Sequence, residues 1–206
     1  MAIYQGLVDY LGRPIEKRLL GTEIAAASTM SVRTPIAGYP ADGLTPPRLT
    51  AILREADQGY PLRFYELAET VEERDMHYPA VLGTRKRSVA QIDISVAPAG
   101  EDARRLELAK LIEDWLKRDE LGDELFDILD AIGKGQSFTE IMWDTSEGQW
   151  RPKRLERADQ RFFRPSRIDL KTHMLIDDNG EDTPSPAFKF IDLVARTLIK
   201  QAARAK

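Results

Sequence analysis

Apolar residues recur at helical spacing through the first two thirds of the chain and alternate with polar ones in much of the remainder. Thr45-Pro46-Pro47 opens the first clear helix, since a threonine can cap, prolines suit a first turn, and Leu49, Ile52, Leu53 and Ala56 follow on one face. Gly59 supplies its stop. A second helix begins after Pro61, with Leu62, Tyr65, Leu67, Ala68 and Val71 on one side and Glu66, Glu69, Glu72 and Glu73 on the other; Pro79 interrupts or restarts it. Residues 101–118 place Leu108, Ala109, Ile112, Trp115 and Leu116 on one helical face, and residues 121–132 do the same with Leu121, Leu125, Ile128, Leu129 and Ile132.

Period two predicts the strands. Ile92, Ile94 and Val96 alternate with Asp93 and Ser95, which reads as a half-buried strand ended by Pro98 and Gly100. Residues 137–144 form another, with Phe138 and Met142 on one face, and a turn at Ser146-Glu147-Gly148 returns the chain into residues 149–155 as a hairpin. Residues 161–164 and 172–176 are further strands, the latter closed by Asp177-Asp178-Asn179-Gly180. The predicted class is α+β: N-terminal helices followed by a small antiparallel sheet.

The two ends read differently from this middle. Residues 1–44 show no sustained period and scatter glycine and proline among small residues, so they are expected to be an extended N-terminal arm that orders against a neighbouring subunit. Residues 45–190 form the α+β domain. From Phe188 onward, Phe190, Ile191, Val194, Ala195, Leu198, Ile199 and Ala202 make an apolar stripe flanked by Arg196, Lys200, Arg204 and Lys206. This predicts a basic amphipathic helix, with residues 191–206 as a separate C-terminal unit that packs on its own domain rather than on a membrane.

Composition narrows the function. In 206 residues, hydrophobic types make up 42% and charged types 31%, the balance of a chain able to bury a core. A formal charge of -4 argues against a dedicated nucleic-acid binder, which needs a basic surface to displace counterions from phosphate. Cysteine is absent, which removes disulfides, thiol nucleophiles and cysteine-ligated metals. No apolar run has the length of a membrane span, and residues 1–21 lack the pattern of an export signal.

Each chemical motif has a plainer structural reading. Gly133-Lys134-Gly135-Gln136-Ser137 has the residues of a phosphate loop, but such a loop follows a strand and opens a helix, whereas here a helix precedes and a strand follows. It is read as a capping turn. His77 and His173 have no partner at metal-ligand spacing and no nucleophile elbow accompanies them. The acidic run Glu66, Glu69, Glu72, Glu73 and Asp75 is read as a solvated helix face. No catalytic, cofactor-binding or metal-ligating residue is assigned. The candidate contacts to DNA or another phosphate are Arg85, Lys86, Arg87, Arg151, Lys153 and Arg154, which also support an alternative reading as a DNA- or protein-binding adaptor.

Several segments resemble the Mu-type phage portal family in order: residues 49–59 (LTAILREADQG), 73–86 (ERDMHYPAVLGTRK), 127–135 (DILDAIGKG) with Glu140-Ile141-Met142-Trp143, and 150–156 (WRPKRLE) with Arg161-Phe162-Phe163. The resemblance implies a virion structural subunit without catalysis or cofactor, whose matched part resembles the beginning of the peripheral wing. It also implies a homo-oligomeric ring at a capsid vertex, partners among terminase, capsid and head-completion proteins, DNA passing through the channel, no membrane, and assembly in the bacterial host cytoplasm. Family members continue beyond the position of Phe190, and residues 191–206 are not expected to resemble that continuation; this reads as a truncated, prophage-remnant form or a fragment.

Overall fold

The computed structural model describes residues 8–9, 12–34, 40–146, 150–169 and 172–195. Helices come first: α1 (Lys17–Gly21), α2 (Pro46–Asp57), α3 (Leu62–Arg74), α4 (His77–Ala90), α5 (Ala103–Leu116), α6 (Leu121–Ile128) and α7 (Ala131–Lys134). Strands follow: β1 (Gln136–Asp144), β2 (Arg151–Ala158), β3 (Phe163–Pro165), β4 (His173–Ile176), β5 (Asp182–Pro184) and β6 (Phe190–Val194), with one 3-10 turn at Gln160–Phe162. They make two antiparallel sheets, ordered β2-β1-β6 and β3-β4-β5, so the α+β expectation holds.

Local chemistry sets the helix ends. The Thr45 hydroxyl accepts from the Arg48 N–H and the Asp102 carboxylate from the Arg105 N–H, which caps α2 and α5. Asp75 accepts from the N–H groups of His77 and Tyr78 and so starts α4, with Pro79 in its first turn where a missing donor costs nothing. Gly135 adopts φ +88° after α7, releasing the chain directly into β1. Gly133 serves a different need, because a Cβ there would lie 2.8 Å from Leu82 Cδ2 and 3.0 Å from the Tyr78 hydroxyl, and glycine lets α7 approach α4 without displacing either side chain.

The apolar core sits where the two sheets meet. Phe138 of β1 and Phe163 of β3 stack with ring centroids 4.0 Å apart, and Ala158, Phe162 and Leu175 close around them. Phe190 of β6 meets Phe163 edge-on at 5.3 Å.

Beside this core lies a buried ion pair. Glu140 of β1 and Lys189, immediately before β6, are 2.9 Å apart, with side chains 1% and 0% exposed. Glu140 accepts from the backbone N–H groups of Ile24 and Ala25, at 2.7 and 3.0 Å. Lys189 donates to the carbonyls of Leu20, Thr22 and Ile141, at 3.1, 2.7 and 3.2 Å. Phe188, at φ 60°, turns the chain so that Lys189 points inward, and its carbonyl accepts from Trp143 Nε1 at 2.7 Å.

The pair changes the reading of the N-terminal region. Leu20 is fully buried and Ala25 belongs to the core, so residues 20–25 are part of this domain rather than an arm waiting for a neighbour. Backbone polar groups there are satisfied by two side chains more than a hundred positions away, which no local pattern reveals. Residues 1–7, 10–11 and 35–39 of the expected arm lie outside the described residues.

Three further expectations are corrected. Residues 92–96 form no strand: Ile92 is 63% and Ile94 50% exposed, and no edge lies alongside to pair with them. Alternation says which face a strand would bury, not that a partner exists. Helix α5 forms as predicted, yet none of its residues is buried and Leu108 and Ile112 in the middle of its stripe are about half exposed. The C-terminal stretch begins as strand β6 rather than a helix, because Phe190–Val194 is β-favouring and the open edge of β1 is there to receive it. The rest of that predicted helix, residues 196–206, lies outside the described residues.

Removing one member of a buried pair strands the other charge. Lys189→Met is therefore expected to cost about 3–5 kcal/mol in urea unfolding, with Glu140→Gln costing a comparable amount. If each changed the unfolding midpoint no more than a surface substitution does, the pair would not be the lock described here.

Candidate functional site

Helices α3, α4 and α7 meet β2 and the 3-10 turn around one carboxylate, Asp130, the residue just before α7. Its oxygens lie 2.8 Å from Lys134 Nζ, 3.2 Å from Lys86 Nζ and 3.3 Å from Arg157, and accept from Gln160 Nε2 at 3.0 Å. Burial pushes this carboxyl up, but Lys134, Arg157 and Lys86 together outweigh that and hold it down at about 2. Glu69 and Glu72 of α3 complete the cluster from the other side, 3.9 and 3.4 Å from Lys134, and Glu69 is also within 3.9 Å of Arg157 and 3.8 Å of Arg161. Arg161 is in turn clamped by Asp159 at 2.5 Å.

This cluster corrects two sequence-based expectations. Glu69 and Glu72 do not belong to a solvated helix face; they turn inward to cations supplied from residues 134–161. Lys86 is not available to phosphate either, being 5% exposed, bonded to Asp130 and seated 4.2 Å above the Phe126 ring.

The other five candidate phosphate contacts fall into separate groups. Arg85 and Arg87 are exposed on α4, with Arg87 reaching over the outer face of Phe126. Arg151, Lys153 and Arg154 are exposed on β2, where Arg154 pairs with Glu156 at 2.7 Å. Helix α6 contacts both α4 and β2, and the two basic runs belong to these two different elements.

The turn at residues 133–137 is a cap. Lys134 points into the Asp130 cluster, and Ser137 is buried and donates to the Ile128 carbonyl at 2.5 Å. His77 is exposed at the start of α4. His173 joins the two sheets by bonding Asp192 of β6 while its ring meets Phe138 edge-on at 5.2 Å. Neither histidine faces a nucleophile, and among the described residues no group of acids and histidines is arranged to hold a metal.

Surface features centre on α5. Trp115 Nε1 donates to the Pro152 carbonyl at 2.7 Å, and the Arg118 guanidinium stacks 3.7 Å from the Trp115 ring while bonding Glu124. Glu124 also accepts from the Leu155 N–H at 2.8 Å, so one relay ties the end of α5 through α6 to β2. The groove between α5 and β2, about 360 Å³, is lined by Glu107, Lys110, Asp114, Trp115, Arg151 and Pro152. Its charged lining mixes two acids with two bases.

The geometry is therefore that of a rigid block with its strongest electrostatics spent internally. Comparison with known proteins agrees in kind. Residues 65–202 match the family described as the portal protein of Mu bacteriophage, well over half of the chain. The chain belongs to that portal family. Among relatives, it is 30% identical over 199 residues to the Mu-like prophage FluMu protein gp29 of Haemophilus influenzae, covering 92% of this chain and 37% of that protein. It is 32% identical over 127 residues to the portal protein of Escherichia phage Mu, covering 61% of this chain and 25% of that one. This portal-family chain thus spans little more than a third of one relative and a quarter of the other. The match continues to residue 202, which corrects the expectation that residues 191–206 depart from the family.

Asp130 gives the cluster an acid signature. A carboxyl held below its ordinary value of 3.8 contributes stability that is present above about pH 4 and lost as pH falls toward 2. Asp130→Asn is expected to lower stability at pH 7 by about 2 kcal/mol or more and to flatten the loss between pH 4 and 2 in urea melts. Glu69 behaves oppositely, since burial and then Asp159 raise it despite its cationic neighbours. Glu69→Gln should leave stability at pH 7 unchanged or slightly higher; a loss as large as that of Asp130→Asn would refute the assignment.

Proposed function

We propose that the chain is a structural building block of the wing region of a phage portal, a ring at one capsid vertex through which DNA passes. The observation that carries this reading is the portal-family match over residues 65–202, which runs from within α3 to beyond β6 and includes Asp130, Glu140, Lys189 and the aromatic rings of the core. Those features make a stiff subunit. Arg118, Lys134, Arg157 and Arg161 and the carboxylates they hold are consumed in joining elements, leaving no converging acid, base and nucleophile among the described residues. Assembly rather than bond-making is the chemistry such a surface serves.

In this reading, the chain functions in the virion, after assembly in the host cytoplasm, and its partners are further copies of itself, terminase, capsid and head-completion proteins. A head-to-tail ring needs two different complementary faces on each subunit. The half-exposed apolar positions of α5 and of residues 92–94 are surface of the kind that subunit contacts cover. Residues 45–190 act as the wing-like domain, to which β6 adds its strand beside β1.

Light scattering with negative-stain imaging of the purified chain tests the assembly claim. Concentration-dependent higher-order species with ring-like or arc-like outlines are expected. A strict monomer at the highest attainable concentration would show that this chain does not form the ring by itself.

A further inference from the structure

The hairpin that joins β4 to β5 carries the one asparagine of the sequence, Asn179, and the next residue is Gly180. Asn179 is exposed, and among the described residues no hydrogen bond holds its carboxamide. Gly180 stands at φ +88°, in the left-handed region that glycine enters without strain, and its missing side chain leaves the backbone nitrogen next to that carboxamide unshielded.

Asp177 holds the turn closed. One of its carboxylate oxygens accepts from the N–H groups of Asn179 and Glu181, at 2.9 and 2.8 Å. Its own N–H donates to the Glu181 carbonyl at 2.9 Å, and its carbonyl accepts from the Gly180 N–H at 3.1 Å. The Gly180 nitrogen is therefore engaged while the turn is closed and free to react once it opens. Exposed hairpin ends with few buried contacts are among the first parts of a fold to open.

We propose that Asn179 is a site of spontaneous self-modification, gated by Asp177. In the open turn the Gly180 nitrogen gives up its proton to solvent and attacks the side-chain carbonyl carbon of Asn179. The new C–N bond closes a five-membered succinimide, and the bond to the carboxamide nitrogen breaks, releasing ammonia. Water, the sole co-reactant, then opens the ring at one carbonyl or the other and leaves aspartate or isoaspartate at position 179.

The turn also fastens the N-terminal segment to the second sheet. Asp178 bonds Arg33 at 2.5 Å, Arg33 donates to the Ile24 carbonyl at 2.6 Å, and the Gly180 carbonyl accepts from Arg164 of β3 at 3.2 Å. Isoaspartate puts an extra methylene into the main chain inside the loop that the bonds between Asp177 and Glu181 close. Either product adds a negative charge to a turn that already holds Asp177, Asp178, Glu181 and Asp182.

Incubating the full chain in mildly alkaline buffer, then digesting it with trypsin, tests the site. The peptide of residues 172–189 contains the asparagine and no glutamine, so a mass gain from NH2 exchanged for OH reports position 179 alone. The expected result is this gain in the folded chain, with separate aspartyl and isoaspartyl forms of the peptide. Asp177→Ala, which removes two bonds that keep the turn closed, is expected to convert about tenfold faster in the folded state. In guanidinium chloride, where no turn exists to gate the reaction, both chains should convert alike. Asn179 left intact in the folded chain over the time in which the denatured chain converts fully would overturn the site. Equal rates for the two folded chains would overturn the gating by Asp177.

Discussion

The fold depends on a charge taken out of water twice over. Burying Glu140 and Lys189 each costs several kcal/mol, and their mutual attraction repays this only if the remaining hydrogen-bonding capacity of both is filled. Two N–H groups from residues 24 and 25 fill it for the glutamate, and carbonyls of residues 20, 22 and 141 fill it for the lysine. The pair is therefore tolerable only when the N-terminal segment, β1 and the entry to β6 are all in place. That conditionality is a source of cooperativity: no two of the three can be right while the third is wrong.

Asp130 repeats the principle on the helical side. It sits where α6 gives way to α7, and the cations around it come from α4, α7 and β2, while Glu69 and Glu72 approach from α3. Tyr65, Leu67, Leu82 and Ala131 supply apolar burial among these helices, and the ionic cluster adds direction to it. The opposite shifts of Asp130 and Glu69 show that the cluster is not uniformly favourable. Asp130 gains more from its cations than it loses to burial, whereas Glu69 is held in place at some cost, the pattern of a network fixed by geometry rather than tuned for stability alone.

What could be read from the sequence was what depends on near neighbours. Thr45 and Gly59 announce the ends of α2 from within a few residues of the groups they serve, and Phe138 and Met142 share one buried face of β1. What escaped depends on partners far along the chain. Lys86 stands in the run Arg85-Lys86-Arg87 and is indistinguishable there from its exposed neighbours; only Asp130, 44 positions away, pulls it inside. Glu69 is equally disguised among the acids of α3. For β6, a helical stripe and a strand are both consistent with the residue types, and the free edge of β1 decides. The segment 92–96 fails for the converse reason, a strand pattern with no edge to join.

These inward-facing charges also bear on nucleic acid. A phosphate approaching this surface would have to compete with Asp130, Glu69 and Asp159 for Lys86, Lys134, Arg157 and Arg161, displacing buried carboxylates that have no second home. That exchange is unfavourable, since it strands an anion in a poorly solvated site. Only cations outside the cluster, such as Arg85 and Arg87 on α4 and Lys153 on β2, can meet phosphate without that penalty, and they sit on two different elements. Divided groups of two or three charges on a chain of net charge -4 give weak, salt-sensitive contact rather than a binding cleft.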